Sequence, residues 1–470
     1  ADHLVPLRLQ HVRGDGGIDT AGQADDDAVL ACHGAGIIRR TATTVGSGGS
    51  RVIAHGAKCL NLYTKPLVQG VAKQLRAPPR LVSTPYFSDW DARVPWIAAF
   101  RSLCLTAASA GLLWATPGAA QAQILIGQTT AVTGPVAASV GETLVGVRLY
   151  LDHVNAKGGV GGEQIKLITL DDKFEPKLAG ENARKLIEDD KVVALFMSRA
   201  TPHTQAILPH LAKHNIALIA PSTGAMLLHE PVNPHVFNVR SSYQAETEQA
   251  VEHLHTSTLD RIAVVHVDDS FGADCLAGAM KGFERLKFKP VAVIKADRAK
   301  PDYAAIVPQL QAANAQAVIW IGSSVAVSDG VKALRAAGSA AQVVTVSNNA
   351  SGGFIKQLGN AAHGVIVTQV FPNVRAMGYG INREAEALAK AKGNVTLSPQ
   401  MMEGFAGAKV LVEGLRRAGP KPTRERILTA LGGMGQYDLG GLELGYGPGD
   451  RTGLNFVELS IIGSDGRFRR

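Results

Sequence analysis

From Gln123 onward, short apolar runs alternate with segments whose apolar residues recur every three or four positions. The runs are ILIG at 124–127, IKLITL at 165–170, VVALFM at 192–197, IALIA at 216–220, IAVVHV at 262–267, VAVIKA at 291–296, AVIWIG at 317–322, VVTVS at 343–347 and GVIVTQV at 364–370. Most are β-branched and nearly continuous, the pattern of strands buried on both faces of a parallel sheet. Between them lie helical stretches. Val140, Leu144, Val147, Leu151 and Val154 are spaced by four, three, four and three residues, which places them on one stripe of a helix. The alternation predicts βαβ units and therefore an open α/β sheet. It runs through about 250 residues, more than one such sheet takes, so two lobes are expected. The first hand-over between lobes is placed after NPHVFNVRSSYQAET at 233–247, the second near QVFPNV at 369–374. The end, FVELSIIGSDGRFRR at 456–470, alternates around a Ser-Asp-Gly turn and reads as a hairpin.

The first 122 residues follow none of this. Positions 1–92 show no sustained period and contain loop-like stretches such as GSGGS and RAPPR. Arg93 and Arg101 then flank a short apolar stretch from Leu103 to Trp114, followed by Pro117 and the small-residue triplet Ala120-Gln121-Ala122. That order is a signal peptide over 93–122, cleaved near Ala122. The apolar run is too short and too diluted to span a membrane as a helix of roughly 20 residues. A signal peptide belongs at an N-terminus, so translation is expected to start near Val94, with 1–92 a non-native or disordered extension. Cys104 lies inside the apolar run and not at its cleavage end, which argues against a lipid anchor.

Composition narrows the function classes. The chain has 470 residues, 46% hydrophobic and 19% charged, with a net charge of +8. Residues 1–122 hold 12 Lys/Arg and 8 Asp/Glu, leaving 36 and 32 for the rest. So small a surplus is no electrostatic footprint for nucleic acid. Of Cys32, Cys59, Cys104 and Cys275, only Cys275 follows residue 122, so the folded part relies on its core and not on a disulfide.

NAKGGVGGEQIKLITLDD at 155–172 concentrates glycine. A phosphate-binding glycine loop follows a strand and opens a helix. Here the glycines follow a helix and precede a strand, which is the order of a helix stop and a turn. No G-x-S-x-G, H-E-x-x-H or kinase signature is present, so neither an enzyme nor a cofactor is predicted. His210 and His214 stand four apart with no third ligand nearby, so no metal is predicted either. Asp171-Asp172 and Asp268-Asp269 each end a strand, as active-site acids or, the favoured reading, as caps and turn formers. The loops at strand ends are rich in hydroxyls and amides: SRATPHT at 198–204, PSTGA at 221–225, Ser323-Ser324, and Asn348-Asn349. Ligands of open α/β sheets bind there, and donors before helix N-termini suit a small anionic or zwitterionic molecule, above all a carboxylate.

Taken together, ILIGQTTAVTGPVAASVGETLVGVRLYLDHVNAKGGVGGEQIKLITLDD, TPHTQAILPHLAKHNIALIAPSTGA, VDDSFGADCLAGAMKGFE and DYAAIVPQLQAANAQAVIW resemble the type I periplasmic solute-binding proteins of the leucine/isoleucine/valine class, which serve ABC importers. The resemblance covers nearly all of 123–470 and none of 1–92. It implies an α/β fold of two lobes, each a mostly parallel sheet flanked by helices, joined by three hinge crossovers. It divides the chain into lobe 1 at 123–240 and 370–440, lobe 2 at 241–369, and a crossover with the C-terminal hairpin at 441–470. It also implies a periplasmic monomer that captures a small solute by hinge closure and delivers it to an inner-membrane ABC permease.

In such proteins the first lobe grips the ligand carboxylate, and the matching positions are Thr201, Ser222 and Thr223. The second lobe offers an aromatic hydroxyl in a D-x-x-Y-G motif. That motif reads DDSFG here, so Phe271 keeps a wall but loses the donor. A further contact position falls at Ser323. The acid that pairs with a ligand amine is replaced by Ser347, followed by Asn348. A buried ammonium without a carboxylate partner is costly. The resemblance therefore implies a carboxylate-bearing solute, a branched-chain amino acid or a related organic or aromatic acid, and the departures point to one lacking an amine. A sensory or regulatory ligand-binding domain of the same fold is the alternative. The chain ends soon after the hairpin, which favours the transport receptor.

Overall fold

The computed structural model describes residues 122–470. The extension read at 1–92 and the signal peptide read at 93–122 lie outside the described residues, apart from Ala122.

The chain opens with β1 (Gln123–Thr130), α1 (Ala137–Ala156), β2 (Gln164–Asp171), α2 (Pro176–Glu188), β3 (Ala194–Phe196), α3 (Thr201–His214), β4 (Ala217–Ile219) and β5 (Val236–Phe237). These five strands form one parallel sheet in the order β2-β1-β3-β4-β5. Both faces are covered. Ile124, Ile126 and Phe196 join one apolar cluster, while Leu125, Leu195 and Leu218 join another under α2 and α3. Two covered faces explain why the strands read as continuous apolar runs and not as alternating ones.

A second set follows: α4 (Tyr243–Thr256), β6 (Ile262–Val267), α5 (Ser270–Arg285), β7 (Ala292–Ala296), α6 (Tyr303–Ala312), β8 (Ala317–Ile321), α7 (Ser324–Ala336), β9 (Gln342–Thr345), α8 (Gly352–Leu358) and β10 (Ile366–Gln369). Along β8, Val318 and Trp320 pack into one cluster while Ala317, Ile319 and Ile321 pack into the cluster on the opposite face. The chain then returns to the first lobe with α9 (Gly380–Ala391), α10 (Pro399–Ala418), α11 (Arg424–Gly432) and a hairpin of β11 (Gly435–Asp438) and β12 (Glu443–Tyr446). Phe405, Leu411, Leu431 and Leu444 share their cluster with Ile126 and Phe196. Last come β13 (Glu458–Ile462) and β14 (Phe468–Arg469), which close the second sheet in the order β14-β13-β10-β9-β8-β6-β7. β13 runs antiparallel to β10, and the rest of that sheet up to β7 is parallel. The chain thus passes between lobes three times: after β5, after β10 and after β12.

Two elements escape the sequence pattern. β5 has two residues and β11 is largely exposed, so neither carries a readable period.

The glycine stretch at 158–162 is a turn. Gly159 has φ +76, and a Cβ there would sit 1.9 Å from the Glu163 carbonyl oxygen. Asn155 fastens the helix end to β2, its Nδ2 donating to the Ile165 carbonyl and its Oδ1 accepting the Ile165 amide, both at 2.9 Å. Helices α1 and α10 cross almost backbone to backbone. A Cβ on Gly146 would lie 1.9 Å from the Met401 carbonyl oxygen, and one on Gly404 would lie 2.0 Å from that of Thr143.

Candidate functional site

The carboxyl ends of the two sheets' strands face a cleft between the lobes, enclosing about 640 Å³ of space that is partly open to solvent. Each wall is built by segments that leave a strand end. Phe174 follows β2, Arg199 and Ala200 follow β3, Phe271 follows β6, Arg298 follows β7, Ser323 follows β8 and Asn348 follows β9. This is the place where open α/β sheets hold ligands.

Arg199 is the central polar group. It is 4% exposed. From the first lobe, its Nη1 donates to Ser222 Oγ (3.1 Å) and its Nη2 to Ser139 Oγ (3.2 Å). Nη2 also donates to the Asn348 carbonyl of the second lobe at 2.8 Å. Arg199 borders both the main cleft and a smaller cavity of about 180 Å³ behind it. On the opposite wall Arg298 pairs with Asp269 and lies over the Phe174 ring, 4.4 Å from its centroid. Phe174 in turn stacks on His203 at 4.9 Å. Tyr243 and Phe271 meet edge to face at 4.8 Å, and Trp320 adds a further wall. Tyr243 also lines the cleft.

The residues singled out in the sequence fall into three groups. Phe271, Ser323 and Asn348 line the cleft. Ser323 also caps α7, its hydroxyl accepting the Ala326 amide, and Asn348 Nδ2 donates to the Gly322 carbonyl at 3.0 Å. Thr201, Ser222 and Thr223 are buried and lie outside the cleft lining. The hydroxyls of Thr201 and Thr223 bond each other at 2.7 Å, while Ser222 donates to Glu403 Oε1 at 2.8 Å. Arg199 stands in front of Ser222. Ser347 is turned into a buried ion pair between Arg240 and Glu246: its Oγ accepts from Arg240 Nη2 (2.8 Å), and its amide donates to Glu246 Oε2 (2.8 Å). Thr368 donates to the same carboxylate. This group ties the first passage between lobes to the second sheet.

The acids at strand ends serve the backbone. Asp171 accepts the amides of Val132, Thr133 and Lys173 and the Thr133 hydroxyl, and Asp269 caps α5 by accepting the Phe271 and Gly272 amides. Burial pushes Asp172 up to about 6. Burial, helped by the Arg298 charge, holds His203 down to about 4. Among the described residues no group of three or more His, Cys, Asp or Glu is placed to hold a metal ion.

A protein-family model described as periplasmic binding protein matches residues 123–456, well over half of the chain. The chain belongs to the periplasmic binding protein family. Its fold is the two-lobed type I form. The chain is 25% identical over 324 residues to the Leu/Ile/Val-binding protein BraC3 of Rhizobium johnstonii, covering 66% of this chain and 84% of that protein. A substrate-binding periplasmic protein from Ralstonia solanacearum superposes with a TM-score of 0.67 at 30% identity, covering 73% of this chain and 99% of that one. A possible leucine/isoleucine/valine-binding protein from Rhodopirellula baltica superposes with a TM-score of 0.69 at 26% identity, covering 76% and 98%.

Within this binding protein, sequence reasoning passed over Arg199, Arg298, Tyr243, Phe174 and Trp320. Three of them sat in stretches already singled out. Arg199 is the second residue of SRATPHT, Tyr243 lies within 233–247 ahead of the first hand-over, and Trp320 belongs to the AVIWIG run. The signal was position at a strand end, applied to hydroxyls and amides but not to cations and rings.

Proposed function

We propose that the chain is the extracytoplasmic substrate-binding receptor of an ABC importer and captures a small carboxylate-bearing solute between its lobes. Family membership supports the receptor role. The observation that carries the ligand class is the buried Arg199 guanidinium at the meeting of the two lobes, with Thr201, Ser222 and Thr223 as the hydroxyl layer behind it. An anion gains most where a desolvated cation and oriented donors already wait for it. Phe271, Ser323 and Asn348 close on the solute from the second lobe, and Ser347 holds the frame. Hinge closure completes the enclosure, in the manner of two-lobed binding proteins. The work is capture and delivery, with no chemical step. The receptor acts as a monomer in the periplasm, led there by the signal peptide read at 93–122, and its partner is the inner-membrane permease. The names of relatives that bind leucine, isoleucine or valine support a small carboxylate ligand.

Thermal-shift screening against carboxylates, neutral amides, sugars and polyamines tests this reading, because a ligand stabilises the native state by mass action. Small carboxylates raise the melting temperature. A response confined to sugars or polyamines refutes the carboxylate assignment.

A further inference from the structure

We infer that Arg199 sets the selectivity of the cleft, which takes a monocarboxylate with an apolar body and no amine. The inference rests on the receptor reading above and names its ligand class. Arg199 forms no ion pair within 4.0 Å among the described residues; its charge is answered only at one remove, through the Ser222 hydroxyl to Glu403. Its Nε makes no hydrogen bond among the described residues. The protein thus carries its own cation between the lobes. It is tied by Ser139 and Ser222 on one side and by the Asn348 carbonyl on the other. A ligand ammonium brought there meets like charge in a poorly hydrated space, where repulsion is costly.

The nearby acids do not answer such an ammonium. Asp269 is paired with Arg298 and caps a helix, while Asp297, whose Oδ1 accepts the amides of Ala299 and Lys300, is exposed to solvent, where an ion pair contributes little. Glu246 is enclosed by Arg240, Ser347 and Thr368. A carboxylate, by contrast, finds the Arg199 charge. Around it, Tyr243, Phe271 and Trp320 give the cleft an apolar wall for the body of the solute. Two buried polar atoms at the cleft lack partners: Arg298 Nη2, a donor, and Asn348 Oδ1, an acceptor. They accommodate a polar substituent on that body.

Matched pairs that differ only by the amine provide the test: 3-phenylpropionate against phenylalanine, and 4-methylpentanoate against leucine. Titration calorimetry on the purified wild-type protein is expected to show the amine-free member binding at least about 10-fold tighter in each pair. Arg199→Gln is expected to weaken the amine-free acids by about 10- to 100-fold and to shrink the ratio within each pair. A merely structural role leaves that ratio unchanged. Arg199→Lys keeps the charge and so keeps the preference, with a smaller loss; with the wild-type ratios it decides the matter if Arg199→Gln does not fold. Equal or tighter binding of phenylalanine and leucine overturns the inference while leaving the carboxylate receptor standing. Binding of neutral 3-phenylpropanamide in place of the acids overturns both, and so does silence across the whole panel.

Discussion

Glu246→Gln is the most searching perturbation of the frame. The side chains of Glu246 and Arg240 are 0% and 2% exposed. Every hydrogen bond to this carboxylate comes from a donor: Arg240 Nη2, the Ser347 amide at 2.8 Å, the Ser347 hydroxyl at 3.0 Å and the Thr368 hydroxyl. Glutamine keeps the shape but turns one acceptor into a donor, so it faces donors with donors and leaves the Arg240 charge uncompensated. Burial disfavours the ionised Glu246, yet the adjacent Arg240 and the Thr368 and Ser347 donors favour it. Breaking such a buried pair costs about 3–5 kcal/mol, against a total stability of about 5–15 kcal/mol for a native protein. For a folded part of about 350 residues that is a fall of roughly 4–7 °C in melting temperature. Urea unfolding followed by circular dichroism at pH 7.5 gives the number directly. The double variant Arg240→Met/Glu246→Leu removes both charges and recovers much of the loss, because an apolar pair avoids the desolvation cost. A single-variant loss under about 1 kcal/mol, or a double variant no better than the single, refutes the account of this cluster as a charge-compensated anchor.

Three further outcomes follow from buried groups and close contacts. His203 and His229 are both held down to about 4, chiefly by burial, so below pH 6.5 the unfolded chain takes up protons that the native one refuses. Stability should fall by up to about 1.4 kcal/mol per pH unit for each between pH 6.5 and 4, and His229→Phe should flatten its share in urea melts across that range. Asp172 has the opposite sign: its pKa is raised to about 6, so its contribution is present at low pH and is lost as pH rises through 6. Asp172→Asn should remove that slope, worth at most about 3 kcal/mol, and a pH series showing unchanged slope counts against it. Gly404→Ala puts a methyl 2.0 Å from the Thr143 carbonyl oxygen and must part α1 from α10, so a loss of about 1–3 kcal/mol is expected in the same melts. An Ala variant as stable as wild type shows that the crossing is looser than described.

The fold was legible because its evidence is local and repeated. IAVVHV becomes β6 since both faces of its sheet are covered, and the 140–154 stripe becomes α1 since one side packs on the first sheet. The two-residue β5 and the exposed β11 were not legible, because nothing periodic marks them. The cleft was legible as a place, the carboxyl ends of strands, but not as a set of side chains. Phe271 and Ser323 lie at the start of helices leaving β6 and β8, where spacing identifies them. Around Arg199 the backbone departs from the strand rule. Met197 and Ala200 have φ of 53° and 72°, and Ala220 before Ser222 has 52°. Side-chain parity is lost through such left-handed positions. Choosing between Arg199 and Thr201 therefore needed coordinates. Ser347 shows the other limit: a position inherited from a family pattern is occupied here by a residue that serves Arg240 and Glu246, which lie more than 100 residues upstream in the chain.

The interleaving of the lobes also fixes an order of events during synthesis. The first five strands emerge early, yet the helix that covers them alongside α1 is α10, ending at Ala418. The second sheet is likewise open at the β10 edge until β13 arrives at Glu458–Ile462. Domains made of one continuous stretch can fold as they leave the ribosome. Here neither lobe has a full set of neighbours until nearly the entire polypeptide exists. The chain is committed to a long unfolded interval, in which exposed strand edges need protection from one another.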